Sequence, residues 1–309
     1  MQIINVPAEL QPPPHAYPIH TTSNIERYFL DYAKRHAAEI KTDRVYLPIL
    51  WTDLYVAERN HERRSDFKTS RRASSFMYYN LEVAKNYFVI VQNDEGLYGK
   101  IPPNVRVYCA GGVGDVAVPL LCDPHPVKEP QPRTVKAFFQ GQIECGGPVS
   151  LPGNTLRTGS SWDPNGAGAR CRRAMFKELH DKPGFDLSGS PMTKDSSARF
   201  VNKMQQSVFA LCPRGYGKTS FRLYEACQLQ TIPIYIYDEP WLPFTPPLNW
   251  NDFSILCHVS EIAGLADRLN AISDAEVLRL QTNLREIYPA YFSYEGACRQ
   301  IVQHLETYQ

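Results

Sequence analysis

The residues best able to do chemistry lie in Ser207-Val-Phe-Ala-Leu-Cys-Pro-Arg-Gly-Tyr-Gly-Lys-Thr-Ser-Phe-Arg-Leu-Tyr-Glu225. An apolar run, Val208 to Leu211, stops at Pro213, a loop with Gly215 and Gly217 follows, and an amphipathic segment opens at Thr219 and Ser220. Strand, glycine loop and helix start in this order make a site for a phosphate. The N–H groups of the loop and first helical turn lack internal partners, and the helix dipole adds partial positive charge. Arg214, Lys218 and Arg222 bring cationic donors to the same place, and a guanidinium can grip phosphate oxygens with two parallel bonds. Gly215, Tyr216, Gly217, Lys218, Thr219 and Ser220 are thus candidate contacts to a nucleotide or another phosphorylated ligand.

Two known phosphate loops match this stretch weakly. Gly217-Lys218-Thr219 reads as the end of a P-loop, but Cys212-Pro213 stands where the first glycine and the tight wrap around the phosphates belong, and no apolar run ending in Asp offers a Walker B partner. The dinucleotide fingerprint puts Ser220 where a third glycine would let helix and strand pack closely. Arg222 and Glu225 are more specific. Three residues apart, they share one helix face, which sets the guanidinium near a bound diphosphate and the carboxylate one turn deeper, where it can accept from a ribose. A surface Arg–Glu pair has the same spacing.

Thr231-Ile-Pro-Ile-Tyr-Ile-Tyr237 then reads as a buried strand, followed by Asp238-Glu-Pro-Trp-Leu-Pro-Phe244. The block S-x-F-x-L-x-P-x-G-x-x-x-x-S-x-R-x-x-E-A with its I-P-[IV] strand and D-x-x-W-L-P-F resembles the exostosin family, inverting glycosyltransferases of family 47. Looser matches are Phe138-Phe139-Gln140-Gly141, the helix Ala169-Arg-Cys-Arg-Arg-Ala-Met175 with its R-x-x-[LM], the strand Tyr87 to Gln92 with Asn93-Asp94-Glu95-Gly96, and Val45-Tyr-Leu-Pro48. Together they span roughly residues 44 to 245. Gln230-Thr231 stands where the family commonly has Gly-Cys, and Asn86-Tyr87 where Asp-His is frequent.

The resemblance implies a GT-B architecture, two facing Rossmann-like α/β domains with parallel sheets and a cleft between them. It implies a UDP-sugar as co-substrate (xylose first, galactose or glucuronate as alternatives), a glycan hydroxyl as acceptor, and no bound metal or other cofactor. In such an enzyme Arg222, Ser220 and the amides of Gly215 to Gly217 face the charge that develops on the leaving diphosphate, with Lys218 or Arg214 second. Gly141 marks the facing strand end. Asp238 and Glu239 are candidates for the donor sugar's hydroxyls, or a solvated turn before Pro240. The general base for inversion falls to Asp94, then Glu95, then Asp53, each at or just beyond a strand end, although a capping or turn carboxylate looks the same. Trp51, Trp162 and Trp241 are candidates to stack on sugar rings or to pack in the core. The competing classes are a P-loop-like NTPase or kinase built on Lys218, and an inactive nucleotide- or glycan-binding module.

These residues need a scaffold. With 309 residues the chain suggests two domains, and its 43% hydrophobic content is that of a globular protein. A net charge of +1 gives no push toward nucleic acid. The local basic cluster Arg59, Arg63, Arg64, Lys68, Arg71 and Arg72 reads as a solvated face that an anionic acceptor could also use. Eight cysteines are scattered without ligand spacing, as buried thiols in a reducing compartment would be. No stretch of 18 apolar residues, no signal peptide and no N-x-[ST] sequon is present, so the reading is a soluble cytoplasmic enzyme without a membrane span. A protein trimmed of its anchor fits the missing segment too.

Helix and strand alternate on both sides of Cys122-Asp-Pro-His-Pro-Val-Lys-Glu-Pro-Gln-Pro-Arg133, whose prolines suit a linker. We therefore expect an acceptor-side domain at 1–121, a linker at 122–134 and a nucleotide-sugar domain at 135–309. Expected strands are 44–50, 87–92, 105–109, 116–120, 135–139, 208–211, 232–237 and 253–258. Expected helices start near 24, 73, 169, 197, 220, 260, 274 and 293. Residues 145–168 read as a mobile loop at the cleft mouth.

Overall fold

The computed structural model describes residues 1–17, 23–61, 68–93, 97, 100–126, 132–144, 147–148, 162–163, 166–190 and 197–308. Asp94 and Glu95 and most of the 145–168 loop lie outside the described residues. Two compact units divide the chain. The first holds Met1–Asp123 and Tyr294–Gln309, and the second holds Pro124–Pro148 and Trp162–Ser293.

In the first unit, α1 (Ile25–His36) starts where the Asn24 side chain accepts from the Arg27 N–H. β1 (Val45–Tyr46), α2 (Trp51–His61), α3 (Lys68–Asn80), β2 (Tyr87–Val91), β3 (Val105–Cys109) and β4 (Val116–Ala117) follow. The four strands form a parallel sheet in the order β1-β2-β3-β4. Every residue of β2 is buried, which fits an inner strand of a parallel sheet. An aromatic layer locks α1 to the sheet. Phe29 meets the Tyr46 ring edge-on at 5.2 Å, Tyr46 stacks on Phe88 at 4.9 Å, and Phe88 meets Tyr108 at 5.7 Å. Burial of each such ring contributes roughly 1.5–3 kcal/mol. The expected strand 44–50 pairs only at Val45 and Tyr46, since Pro48 lacks an N–H for the ladder and the chain turns into α2 at Trp51.

In the second unit come β5 (Val135–Gln140), the antiparallel pair β6 (Gly147–Pro148) and β7 (Trp162–Asp163), and α4 (Ala167–Leu179). β8 (Phe185–Ser188), α5 (Ser197–Gln205), β9 (Ser207–Pro213), α6 (Phe221–Gln228) and β10 (Ile232–Tyr237) follow, then β11 (Ile255–His258), α7 (Leu265–Asn270) and α8 (Asp274–Ile287). The sheet is parallel, in the order β11-β10-β9-β5-β8. Phe139, Phe209, Leu211, Ile234 and Ile236 of the three inner strands share a core with Met175 and Leu179 of α4 and Leu280 of α8. β8 escapes the sequence reading because all four of its residues are half-exposed and carry no apolar run. Cys171, Cys212, Cys227, Cys257 and Cys298 are buried free thiols, and burial pushes Cys212 up to about 12.

Strand order matters for the site. From β5 the chain steps outward to β8, then returns to place β9 on the other side of β5 and continues to β10 and β11. The reversal puts a topological switch point between β5 and β9. In open parallel sheets, ligands bind outside the strand carboxyl ends at such a point. Gln230, just past α6, has φ 58°. This is the left-handed conformation that glycine takes most readily.

The last helix, α9 (Tyr294–Thr307), departs from the expected domain division, which placed it with residues 135–309. Its apolar stripe Ala297, Cys298, Ile301 and Leu305 is buried in the first unit. Tyr294 stacks on Tyr28 at 5.1 Å, and the Tyr108 hydroxyl lies 2.9 Å from His304 Nδ1. Amphipathic spacing alone shows that the helix needs a partner, not which sheet supplies it.

Candidate functional site

The loops that leave β5 and β9 meet at the switch point. Arg214 N–H donates to the Ile236 carbonyl at 3.0 Å and Gly215 N–H to the Thr219 carbonyl at 2.9 Å, which closes residues 215–219 into a tight turn. A Cβ on Gly215 would stand 3.3 Å from that carbonyl oxygen and 3.4 Å from Arg172 Nη2, so the turn favours glycine. Tyr235 of β10 holds the turn from below, its hydroxyl donating to the Lys218 carbonyl at 2.6 Å and accepting from Trp241 N–H at 3.1 Å. Gly217 is buried, while Tyr216 and Lys218 are half-exposed.

At the end of this turn Thr219 is fully buried and Ser220 is 8% exposed. Ser220 caps α6 by backbone geometry, yet its side chain makes no capping bond. Neither hydroxyl has a hydrogen-bond partner among the described residues. Buried hydroxyls are normally satisfied, so two unsatisfied ones at a helix N-terminus mark a place for an oxygen-rich ligand.

Three guanidinium groups surround the turn, each in a different setting. Arg222 is 8% exposed, donates from Nη2 to the Gln140 carbonyl and lies 4.5 Å over the Phe139 ring, braced against Gly141. A side chain on Gly141 would collide with it. Arg214 donates from Nε to the Gly217 carbonyl at 3.0 Å and pairs through Nη1 with Asp238. Burial pushes Asp238 up, but the Arg214 charge and its hydrogen bonds outweigh this and hold the carboxyl below the usual range. Arg172, not singled out as a site residue from the sequence, donates to the Arg214 carbonyl at 3.1 Å and the Gln142 carbonyl at 2.7 Å, joining the two loops. Its signal was present in the R-x-x-M spacing of Arg172 and Met175.

Other expected roles change in the fold. Glu239 pairs with Lys218 at 2.7 Å, and the Lys218 ammonium sits 5.6 Å over the Trp241 ring. Glu239 is 65% exposed, so this pair is worth under about 1 kcal/mol. Asp238 and Glu239 thus pair with the cations of this loop, Arg214 and Lys218. Glu225 is 5% exposed and accepts from His125 Nε2 at 2.8 Å, while Gln228 brackets His125 through the latter's N–H and carbonyl. His125 had no role in the sequence reading, because 100 residues separate it from Glu225.

Asp53, expected just beyond a strand as a third candidate base, is corrected by the fold. It stands in the first turn of α2, fully buried, where Arg27 Nε (2.7 Å) and His15 N–H (2.8 Å) both donate to it. A carboxylate so enclosed is a structural ion pair. Asp94 and Glu95 lie outside the described residues, as does the side chain of Trp162; Trp51 is buried.

Glu26 of α1 is a further buried carboxyl near the end of β2. It accepts from Gln92 N–H at 2.7 Å, Thr52 Oγ1 at 2.5 Å and Thr52 N–H at 3.1 Å. Burial pushes its pKa up to about 8, which the Thr52 and Gln92 bonds only partly oppose. Between the ordinary value of 4.5 and about 8, the folded protein holds a proton that the unfolded chain has released. The contribution of Glu26 to stability therefore falls as pH rises through that window. Glu26→Gln is expected to flatten the wild-type decline in Tm between pH 5 and 8. A melt series in which the variant declines as steeply would refute the assignment.

Two α/β units with parallel sheets, one with a glycine turn and a helix start at its switch point, are of the kind that GT-B glycosyltransferases use. The Exostosin GT47 domain model matches residues 104–272, over half of the chain, and the protein belongs to that family. A probable glucuronosyltransferase of Oryza sativa subsp. japonica is 28% identical over 175 residues, covering 54% of this chain and 37% of its own length. A probable beta-1,4-xylosyltransferase, IRX10L, of Arabidopsis thaliana is 29% identical over 175 residues, covering 54% and 38%. The matched part is thus under half the length of these relatives. Among solved structures, a sucrose-phosphate synthase from Thermosynechococcus elongatus is similar over 90% of this chain and 76% of its own, at 13% identity and a TM-score of 0.39. TarM is similar over 90% and 53%, at 8% identity and a TM-score of 0.38. Among the described residues no helix is long and apolar enough to cross a membrane.

Proposed function

We infer that the protein transfers a sugar from a UDP-sugar to a hydroxyl of a glycan, with inversion and without a bound metal. The observation that carries this reading is the pair of buried hydroxyls on Thr219 and Ser220, which have no partner among the described residues. They stand at the start of α6, with Arg214, Arg172 and Arg222 around them. The diphosphate sits against these hydroxyls and the amides of residues 216–221. Fixed donors there stabilise the charge that builds on the leaving group, the part a metal ion plays elsewhere. Glu225, oriented by His125, lies one helical turn deeper and takes the ribose. UDP-xylose is our first choice of donor and UDP-glucuronate the second, in keeping with the names of the relatives; UDP-galactose is third. The base that deprotonates the acceptor is Asp94, with Glu95 next.

A thermal-shift panel of UDP- and GDP-sugars tests the donor. We expect stabilisation by UDP-sugars at concentrations well above Kd, undiminished by a chelator, since a bound ligand raises stability as RT ln(1 + [L]/Kd). No shift with any UDP compound, or a shift abolished by EDTA, refutes the corresponding part. Binding without turnover against any glycan would favour an inactive module.

A further inference from the structure

The first unit carries a cavity that none of the candidate residues described above lines. Arg44, Asn86 and Asn104 each stand one residue before a strand (β1, β2 and β3), so they mark the amino-terminal edge of the sheet. Ligand sites of parallel sheets ordinarily lie at the other edge. A cavity of about 580 Å³ opens here, lined by Arg44, Asn86, Asn104, Arg106, His304 and Tyr308 among others. This volume is that of a small-ligand site. Arg44 is nine-tenths buried, and its Nε has no partner among the described residues. A buried guanidinium N–H without an acceptor is costly unless something supplies one. Two carboxylates lie near Arg44, Asp43 and Asp115, and Asp115 also lines the cavity. Asp115 accepts from Val107 N–H at 2.8 Å, and Asp43 accepts from Asn86 at 3.1 Å.

The cavity does not end there. Asn86, Pro102, Pro103 and Asn104 also line a second hollow of about 420 Å³, which reaches Tyr78 and Val83. Tyr78 in turn lines a third of about 560 Å³ with Tyr79, Arg71 and Lys100. Tyr79 is 88% and Tyr78 49% exposed. The three hollows thus form one run, with paired cations at each end and exposed aromatic rings and prolines between them. Flat aromatic faces suit sugar rings, side-chain amides suit hydroxyls, and guanidinium groups suit carboxylates.

We propose that this run is a docking site for an acidic sugar chain, with a uronic-acid carboxylate held between Arg44 and Arg106 and sugar rings resting on Tyr78 and Tyr79. That the ligand is a sugar rests on the glycosyltransferase reading; that it carries negative charge rests on the pocket alone. The site lies away from the carboxyl-terminal strand ends, so it holds a chain without reacting with it.

Calorimetric titration of the full chain tests this with three probes: an oligosaccharide bearing one glucuronate, the same oligosaccharide with its carboxyl reduced to the alcohol, and inorganic sulfate. We expect the acidic sugar to bind at least about tenfold more tightly than its reduced form, as one charge-assisted bond implies. Arg106→Gln removes that preference. Tyr79→Ala, at a position too exposed to disturb folding, weakens both sugars and leaves sulfate unchanged. Both variants keep wild-type affinity for UDP. Equal affinity for the two sugars, or an acidic preference that survives Arg106→Gln, overturns the proposal. So does sulfate binding as tightly as the acidic sugar with no effect of Tyr79→Ala, which would make this a simple anion pocket. If UDP fails to bind while the acidic sugar does, the donor reading falls and this one stands.

Discussion

Asp94→Asn is expected to lower turnover by about 10²- to 10⁴-fold, the usual contribution of a positioned general base, while UDP affinity stays at the wild-type level. Inversion requires the acceptor oxygen to attack opposite the leaving diphosphate, and its proton must go to a nearby base. Carboxylates around the ends of β1 and β2 are the candidates, and the fold commits two of them elsewhere. Asp53 is fully buried against Arg27, and Glu26 is buried among donors from Thr52 and Gln92. Neither can reach an acceptor hydroxyl without breaking the core. Asp94 follows directly on the buried pair Gln92 and Asn93 that ends this strand's run. Turnover should rise with pH through the ionisation of the base in the wild type and lose that limb in Asp94→Asn. Initial rates across pH, with UDP affinity measured in parallel, decide the matter. An Asn variant as active as the wild type sinks the assignment, and a loss confined to Glu95→Gln transfers it to the neighbour.

Arg222→Ala should raise the dissociation constant of UDP roughly ten- to a hundredfold, about 1.5–3 kcal/mol, the range for a charge-assisted hydrogen bond. The physical grounds are sharper in the folded protein than on a helical wheel. Arg222 joins the first turn of α6 to the end of β5 through the Gln140 carbonyl, stacks on Phe139 and presses on Gly141. Its removal takes positive charge from the turn at residues 215–219. It also leaves a buried carbonyl short of a donor and frees two loops that must be pre-organised to bind. Arg222→Lys should recover little, because an ammonium supplies neither the planar stack nor the fork. Calorimetry with UDP and a thermal melt on each variant check this. A drop in Tm with unchanged UDP affinity would reduce Arg222 to a structural brace.

The turn at residues 215–219 was legible because everything that defines it is local. β9, α6 and β10 begin and end within about two residues of where the apolar runs, Pro213 and Ser220 place them. Arg172 was legible only as part of a family-like spacing. Nothing in the sequence shows that its guanidinium reaches both the Arg214 and Gln142 carbonyls. Glu225 was found and its partner His125 was not. α2 was missed because the run from Leu47 to Trp51 reads as continuing strand, and only the proline within it hints at the turn.

By itself, the sequence determined the strand–loop–helix order, the parallel α/β class and the family, since these follow from side-chain period, backbone sterics and residues close along the chain. Which charges are available to a ligand was decided only by the tertiary structure. Arg214 finds Asp238, Lys218 finds Glu239, Arg27 finds Asp53 and His125 finds Glu225. Such pairings join residues 21 to 100 positions apart, and their Coulomb energy depends on separations and burial that exist only once the sheets have formed.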